Sequence, residues 1–262
     1  MRSRIDVEQV EKYRVVCGYE CVMNKGIPSC FMEHYFNLPI ILAITRNDFP
    51  LSPLGLIHIK QKIKQLIDLD YLKRRSFNCE VIVKELQPVE KGVEVTIHMK
   101  VVANNSLIWT GELTLLSRNK RVIQKNYRRT AEVNNRLNQE LSDETVTVNL
   151  SKNLGLSYAK VSGDFNPHHL WPFTSKLLGY KKPIAHGMWT LSKAIAIVCE
   201  EDKQTNLNKQ HEIVATFKRP AFLPGTCKFE YTKQYTSDKR LFEIRVSDAK
   251  TGIPHLQASL TI

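Results

Sequence analysis

The stretch SGDFNPHHLW, residues 162–171, sets a carboxylate, an amide, a proline and two adjacent imidazoles close together in one run. Asp164 and His169 are five positions apart, so on a regular helix they would point to different sides. Pro167 argues against a regular helix, because it biases Asn166 away from helical angles. An Asn-Pro turn instead brings the carboxylate and the imidazole around one small ligand. Sharing a water, the two form a general acid/base pair. Downstream, His186 and Gly187 precede the apolar segment GMWTLSKAIAIVCEE, 187–201, which reads as a buried central helix. A helix start offers free N–H groups and a positive dipole end, suited to an oxygen that gains charge during reaction. Catalytic candidates are therefore Asp164 and His169, with Ser162, Asn166, His186 and Gly187 as turn-shaping or oxyanion candidates.

Other readings of the same residues stand beside this one. A lone D-x-N-P is an ordinary turn. His186 fits the role of orienting the turn before the helix, and His168 reads as an exposed neighbour. Asp164, His168, His169 and His186 are also candidate metal ligands, but the side chains of adjacent histidines diverge and no H-E-x-x-H is present, so no metal is expected. GLSYA, 155–159, has the letters of a nucleophile elbow without a strand leading straight into it. Cys17, Cys21, Cys30 and His34 match no common zinc-finger spacing and read as buried thiols.

Working outward, 144–262 gives a short strand (TVTVNL), the helix or loop bearing the quoted turn, the apolar helix, and strands from His211 to Ile262. These last strands are punctuated at Pro224–Gly225, Ser237–Asp238 and Thr251–Gly252. Upstream, 1–53 reads as irregular. In LIHIKQKIKQLIDLD, 56–70, the spacing of Ile59, Ile63, Leu66 and Ile67 predicts an amphipathic helix. Alternating Val-, Ile- and Thr-rich strands follow, with turns near Pro88 and at Asn104–Asn105. The expectation is a duplicated α+β unit, each half a helix followed by an antiparallel sheet. The halves are 1–118 and 144–262, joined by a basic and polar connection over 119–143.

Composition bounds the function. With 262 residues, 42% hydrophobic and 24% charged, the chain can bury a sizeable core. The net charge of +12 divides evenly, with 22 Lys+Arg against 16 Asp+Glu in 1–143 and 16 against 10 in 144–262. A diffuse positive field favours acidic partners without selecting a nucleic acid, and no recognition motif is present. Arg118, Lys120, Arg121, Lys125, Arg128 and Arg129 form an acid-free run that reads as a solvated linker or a contact for an acidic carrier. Six cysteines without paired spacing, no secretory signal, and no apolar run near the ~20 residues of a membrane span point to a reduced, cytoplasmic setting.

YAKVSGDFNPHHLWPFTSKLLGYKKPIAHGMW, 158–189, resembles the signature of MaoC-like, or R-specific, enoyl-CoA hydratases, which have the hot-dog fold. The resemblance is carried by Tyr158, Ser162–Gly163–Asp164, Asn166–Pro167, His169, Gly179, Pro183–Ile184 and His186–Gly187–Met188. FPLSPLGLIHIKQKI, 49–63, more loosely resembles the amino-terminal half of double hot-dog acyl dehydratases. The resemblance implies a double hot-dog, two units in which a sheet wraps a long helix, with one catalytic unit because the first half has no D-x-N-P-x-H. It implies that Asp164 and His169 activate the water that adds to a trans-2-enoyl thioester, giving an (R)-3-hydroxyacyl thioester, with dehydration as the reverse. It implies that Asn166 shapes the turn and that the Gly187 N–H meets the thioester oxygen. Coenzyme A or the phosphopantetheine of acyl carrier protein then belongs to the substrate, and no other cofactor is needed. His168 departs from the family, which more often has an aliphatic residue there. Monomer and homodimer both fit. The alternative is a hot-dog module that binds an acyl thioester without chemistry.

Overall fold

Among the described residues, alternating inward and outward residues build ten strands, five in each half of the chain. The structure is a computed structural model, and it describes residues 1–20, 22, 26–118, 144–236 and 238–262. The expected connection over 119–143, with all of the basic run except Arg118, lies outside the described residues. In chain order the elements begin with β1 (Arg2–Arg4), α1 (Val7–Cys17), a 3-10 turn (Ser29–Tyr35) and α2 (Asn37–Ile44). Then come β2 (Leu56–Gln65), β3 (Ser76–Val89), β4 (Gly92–Ala103) and β5 (Ser106–Ser117). The second half has β6 (Glu144–Leu150), α3 (Leu154–Ser162), α4 (Pro172–Leu177) and α5 (Gly187–Glu201), then β7 (His211–Phe217), β8 (Gly225–Tyr235), β9 (Arg240–Asp248) and β10 (Pro254–Thr261).

The strands form one sheet in the order β1-β3-β4-β5-β2-β7-β10-β9-β8-β6. From either edge to the centre the strands come in the same rank order, so the two halves are pseudo-symmetric. They meet at the antiparallel pair β2–β7, where Ile63 faces Ile213. Hairpins return the chain within each half. At the β4–β5 hairpin, Asn104 and Asn105 both have positive φ, 48° and 61°, the demand of a tight two-residue turn that asparagine tolerates. α5 packs on β9 and β10. Its Leu191, Ala194, Ile195 and Val198 share a core with Phe242, Val246, Leu256 and Leu260. Burying each large apolar side chain contributes about 1.5–3 kcal/mol, and that makes α5 the axis of its half. The double hot-dog is thus present.

Two expectations for the first half are corrected. Residues 56–65 are strand β2, not a helix. Its inward residues are Gln61, Ile63 and Gln65, and two of these three are polar. Gln61 donates to the buried Glu33 carboxyl at 2.8 Å and Gln65 to the Leu207 carbonyl at 2.7 Å, so both side-chain amide N–H groups find acceptors inside. This hides the period of two, and the isoleucines left over imitate a helical period. Nor is 1–53 irregular. Asp6 caps α1 by accepting from the Gln9 amide at 3.2 Å, and Gly18 closes it at φ 80°. In the first half, the 3-10 turn and the eight-residue α2 stand where the second half has the fifteen-residue α5.

Candidate active site

The site begins where α3 stops. Ser162 ends the helix, and Gly163, at φ 78°, turns the chain while its N–H reaches the Ala159 carbonyl at 2.8 Å. The Asp164 N–H donates to Ser162 Oγ at 3.2 Å, and Asp164 Oδ1 accepts from the Asn166 N–H at 3.1 Å. Asn166 itself is exposed, so its contribution is the turn backbone, whose carbonyl accepts from the His169 N–H at 3.0 Å. Pro167 opens a short 3-10 turn that carries His168 and His169.

The turn brings the expected pair together. Asp164, His169 and His186 each offer a ligand-type atom, and these atoms lie within 4.8 Å of one another. His169 is 8% exposed and His186 2%, whereas the Asp164 side chain is 39% exposed, so the carboxylate is the solvent-facing member. His169 Nδ1 lies 2.8 Å from the Ile184 carbonyl. A carbonyl only accepts, so Nδ1 carries the proton and Nε2 keeps a free lone pair. His186 Nε2 donates to the Asp164 carbonyl at 3.0 Å and lies 3.8 Å from Asp164 Oδ2. His186 therefore orients the turn, as its place before the helix suggested. The His169 and His186 rings stack at 3.6 Å with planes 24° apart, and Tyr158 packs on His186 at 4.8 Å.

Burial holds these imidazoles neutral. It drives His169 well below its ordinary pKa, with the neighbouring His186 and His168 adding to the effect, and takes His186 down to about 3. His168 is half-buried rather than exposed, 4.0 Å from the His169 ring and 5.4 Å from Tyr180, and burial lowers its pKa too. The spacing of Asp164, His169 and His186 is that of a metal cluster, but the orientations do not suit one. His186 Nε2 is committed as a donor, and near-parallel stacked rings do not aim their in-plane lone pairs at a common point.

Gly187 opens α5, and His186 supplies no side-chain cap. The first N–H groups of the helix therefore have no intrahelical acceptor. A Cβ at Gly187 would lie 2.9 Å from the Phe217 ring, so only glycine lets β7 approach the helix start this closely. On its other side Phe217 meets His58, with ring centroids 4.6 Å apart. His58 was not anticipated. It belongs to β2, and only the β2–β7 joint brings it within electrostatic reach of Asp164; burial depresses its pKa to about 4. Gln9 and Asn37 were missed for the same reason: they bond the end of α3 from far away in sequence.

The remaining leads dissolve. GLSYA lies within α3, with Ser157 on a helical turn. Cys17 and Cys30 are buried free thiols whose pKa values burial raises, Cys17 to about 12, and Cys21 lies outside the described residues. Among the described residues, no helix is long and apolar enough to cross a membrane.

The second half of this double hot-dog places an aspartate and a neutral histidine beside an uncapped helix start. Residues 132–253, just under half of the chain, match the family model described as MaoC like domain. Among curated proteins it is 23% identical to 3-hydroxyacyl-thioester dehydratase X of Mycobacterium tuberculosis over 256 residues, 98% of this chain and 85% of the relative. It is 31% identical over 94 residues to peroxisomal multifunctional enzyme type 2 of Drosophila melanogaster, 36% of this chain and 16% of that protein. Among solved structures, HtdX of Mycobacterium tuberculosis superposes with a TM-score of 0.78 at 21% identity, covering 99% of this chain and 97% of that one. A MaoC-like dehydratase from Phytophthora capsici superposes with a TM-score of 0.73 at 18% identity, covering 100% and 93%.

Proposed function

We propose that this protein interconverts trans-2-enoyl and (R)-3-hydroxyacyl thioesters by adding or eliminating water. The observation that carries the reading is the pairing of the accessible Asp164 carboxylate with a neutral His169 whose Nε2 is free. In hydration, a water held by the two groups attacks C3 of the enoyl thioester, and one of its protons passes to the pair. Charge moves to the thioester oxygen, which the N–H groups at Gly187 stabilise. The pair then returns a proton to C2, so the net change is one water added. Dehydration retraces the same steps. The carrier is coenzyme A or an acyl-carrier phosphopantetheine, either of which suits the net charge of +12, and the route calls on no metal or redox group.

The test is hydration of crotonyl-CoA, and then of longer enoyl thioesters, followed as loss of enoyl absorbance. Asp164→Asn and His169→Ala are expected to lose about 10²–10⁴-fold in turnover while remaining folded. Folded variants with full activity would remove both residues from the mechanism. Binding without turnover at every chain length and on either carrier would leave a module that holds acyl thioesters.

A further inference from the structure

We propose that the amino-terminal half is a positioning clamp for the catalytic turn, acting through the side-chain amides of Gln9 and Asn37. The inference rests on the hydratase/dehydratase reading above. A helix ends with four carbonyls that lack an intrahelical donor. At the end of α3 the first of these, Ala159, is taken by the Gly163 N–H. The other three receive their donors from the other half of the molecule. Gln9 Nε2 donates to the Lys160 carbonyl at 2.9 Å and to the Val161 carbonyl at 3.1 Å. Asn37 Nδ2 donates to the Ser162 carbonyl at 2.7 Å. Both donors stand on fixed ground. Gln9 lies in the first turn of α1, where its own N–H is held by Asp6, and Asn37 is the first residue of α2.

What these bonds hold is the residue that sets Asp164. Ser162 Oγ receives the Asp164 N–H, and His186 Nε2 donates to the Asp164 carbonyl. The carboxylate is thus suspended between α3 and α5, and the α3 side is anchored in the first half. A Cβ at Gly163 would be in ordinary contact with His34 Nδ1 at 3.6 Å and Asn37 Nδ2 at 3.8 Å, so first-half side chains also border the turn. The half without an acid/base pair thereby supplies the outer support of the pair in the other half. Geometry of this kind governs rate, because a displacement of ~1 Å from a remote change can cost about 100-fold.

The experiment compares wild type with Asn37→Asp, Gln9→Glu and Asn37→Gln. The first two keep the side-chain shape but remove the donor, and the third keeps an amide. The readouts are kcat and KM on an enoyl-CoA that wild type hydrates, and amide hydrogen exchange of residues 163–166. Asn37→Asp and Gln9→Glu are expected to lower kcat about 10- to 100-fold with KM within about threefold, and to speed exchange at 163–166. Asn37→Gln is expected to recover much of both. Unchanged kcat in folded Asn37→Asp and Gln9→Glu overturns the clamp. If wild type hydrates no enoyl thioester, the proposed function falls separately, and unchanged exchange at 163–166 then overturns the clamp.

Discussion

The two halves share a strand order and differ in what fills the sheet. In the second half, α5 runs fifteen residues and buries ten of them, including Leu191, Ile195 and Val198. In the first, a 3-10 turn and α2 occupy the same place in the order, and the strand facing them turns Gln61 and Gln65 inward. The second half wraps its sheet around this long apolar helix and carries a polar site at the helix start. The first has no comparable helix among its described residues and presents Gln9, Asn37 and His58 to the other half's site. On the proposed reading, chemistry and support are divided between two copies of one architecture, which the β2–β7 pair joins.

The sharpest way to break this comparison is to make matched changes to buried or site acids. Asp164→Asn should lower turnover about 10²–10⁴-fold, whereas Glu33→Gln in the first half should leave turnover close to wild type. Comparable losses in both would show that the first half holds reacting groups. The next contrast is in stability. Ile195→Ala, in the centre of α5, should cost about 2–5 kcal/mol in denaturant unfolding. Ile40→Ala, at the edge of the core on the shorter α2, should cost less.

A smaller effect tests the joint between the halves. Gly187→Ala places a methyl 2.9 Å from the Phe217 ring and should lower kcat about tenfold by pushing β7 from the helix start. Combining it with Phe217→Leu should restore part of the loss. If Gly187→Ala alone is silent, the close approach is not what the site uses.

The smallest effect is one of pH. Burial raises the Glu33 carboxyl to about 8 from an ordinary value of 4.5. Between these values the unfolded chain has ionised Glu33 while the folded chain keeps the proton, so this group's contribution to stability falls as pH rises from 4.5 to 8. Glu33→Gln removes that slope. Its Tm relative to wild type should therefore rise steadily from pH 5 to 8, and a constant difference would mean Glu33 is ionised in the fold.

Most of the second half was legible in the sequence, because its signals are local. Pro167 after Asn166 marks the turn, and Gly187 marks the start of an apolar helix. Alternation marks β8, β9 and β10. The first half was less legible. Gln61 and Gln65 are inward residues that look outward by polarity, and this turned β2 into an apparent helix. Asp6 and Gly18 did carry cap signals for α1, but these short cues lie in a stretch punctuated downstream by Pro28, Pro39, Pro50 and Pro53.

The sequence by itself determined the turn that brings Asp164 and His169 together, the helix start beside it and the strands of the second half. Each depends on residues a few positions apart, where backbone preference and periodicity act directly. Only the tertiary structure decided that Nδ1 of His169 carries the proton, that His186 is committed to the Asp164 carbonyl, and that Gln9, Asn37 and His58 reach the site. Those facts depend on which distant groups share a buried space. There an unpaired donor or acceptor is costly, and the partner that satisfies it can lie more than a hundred residues away.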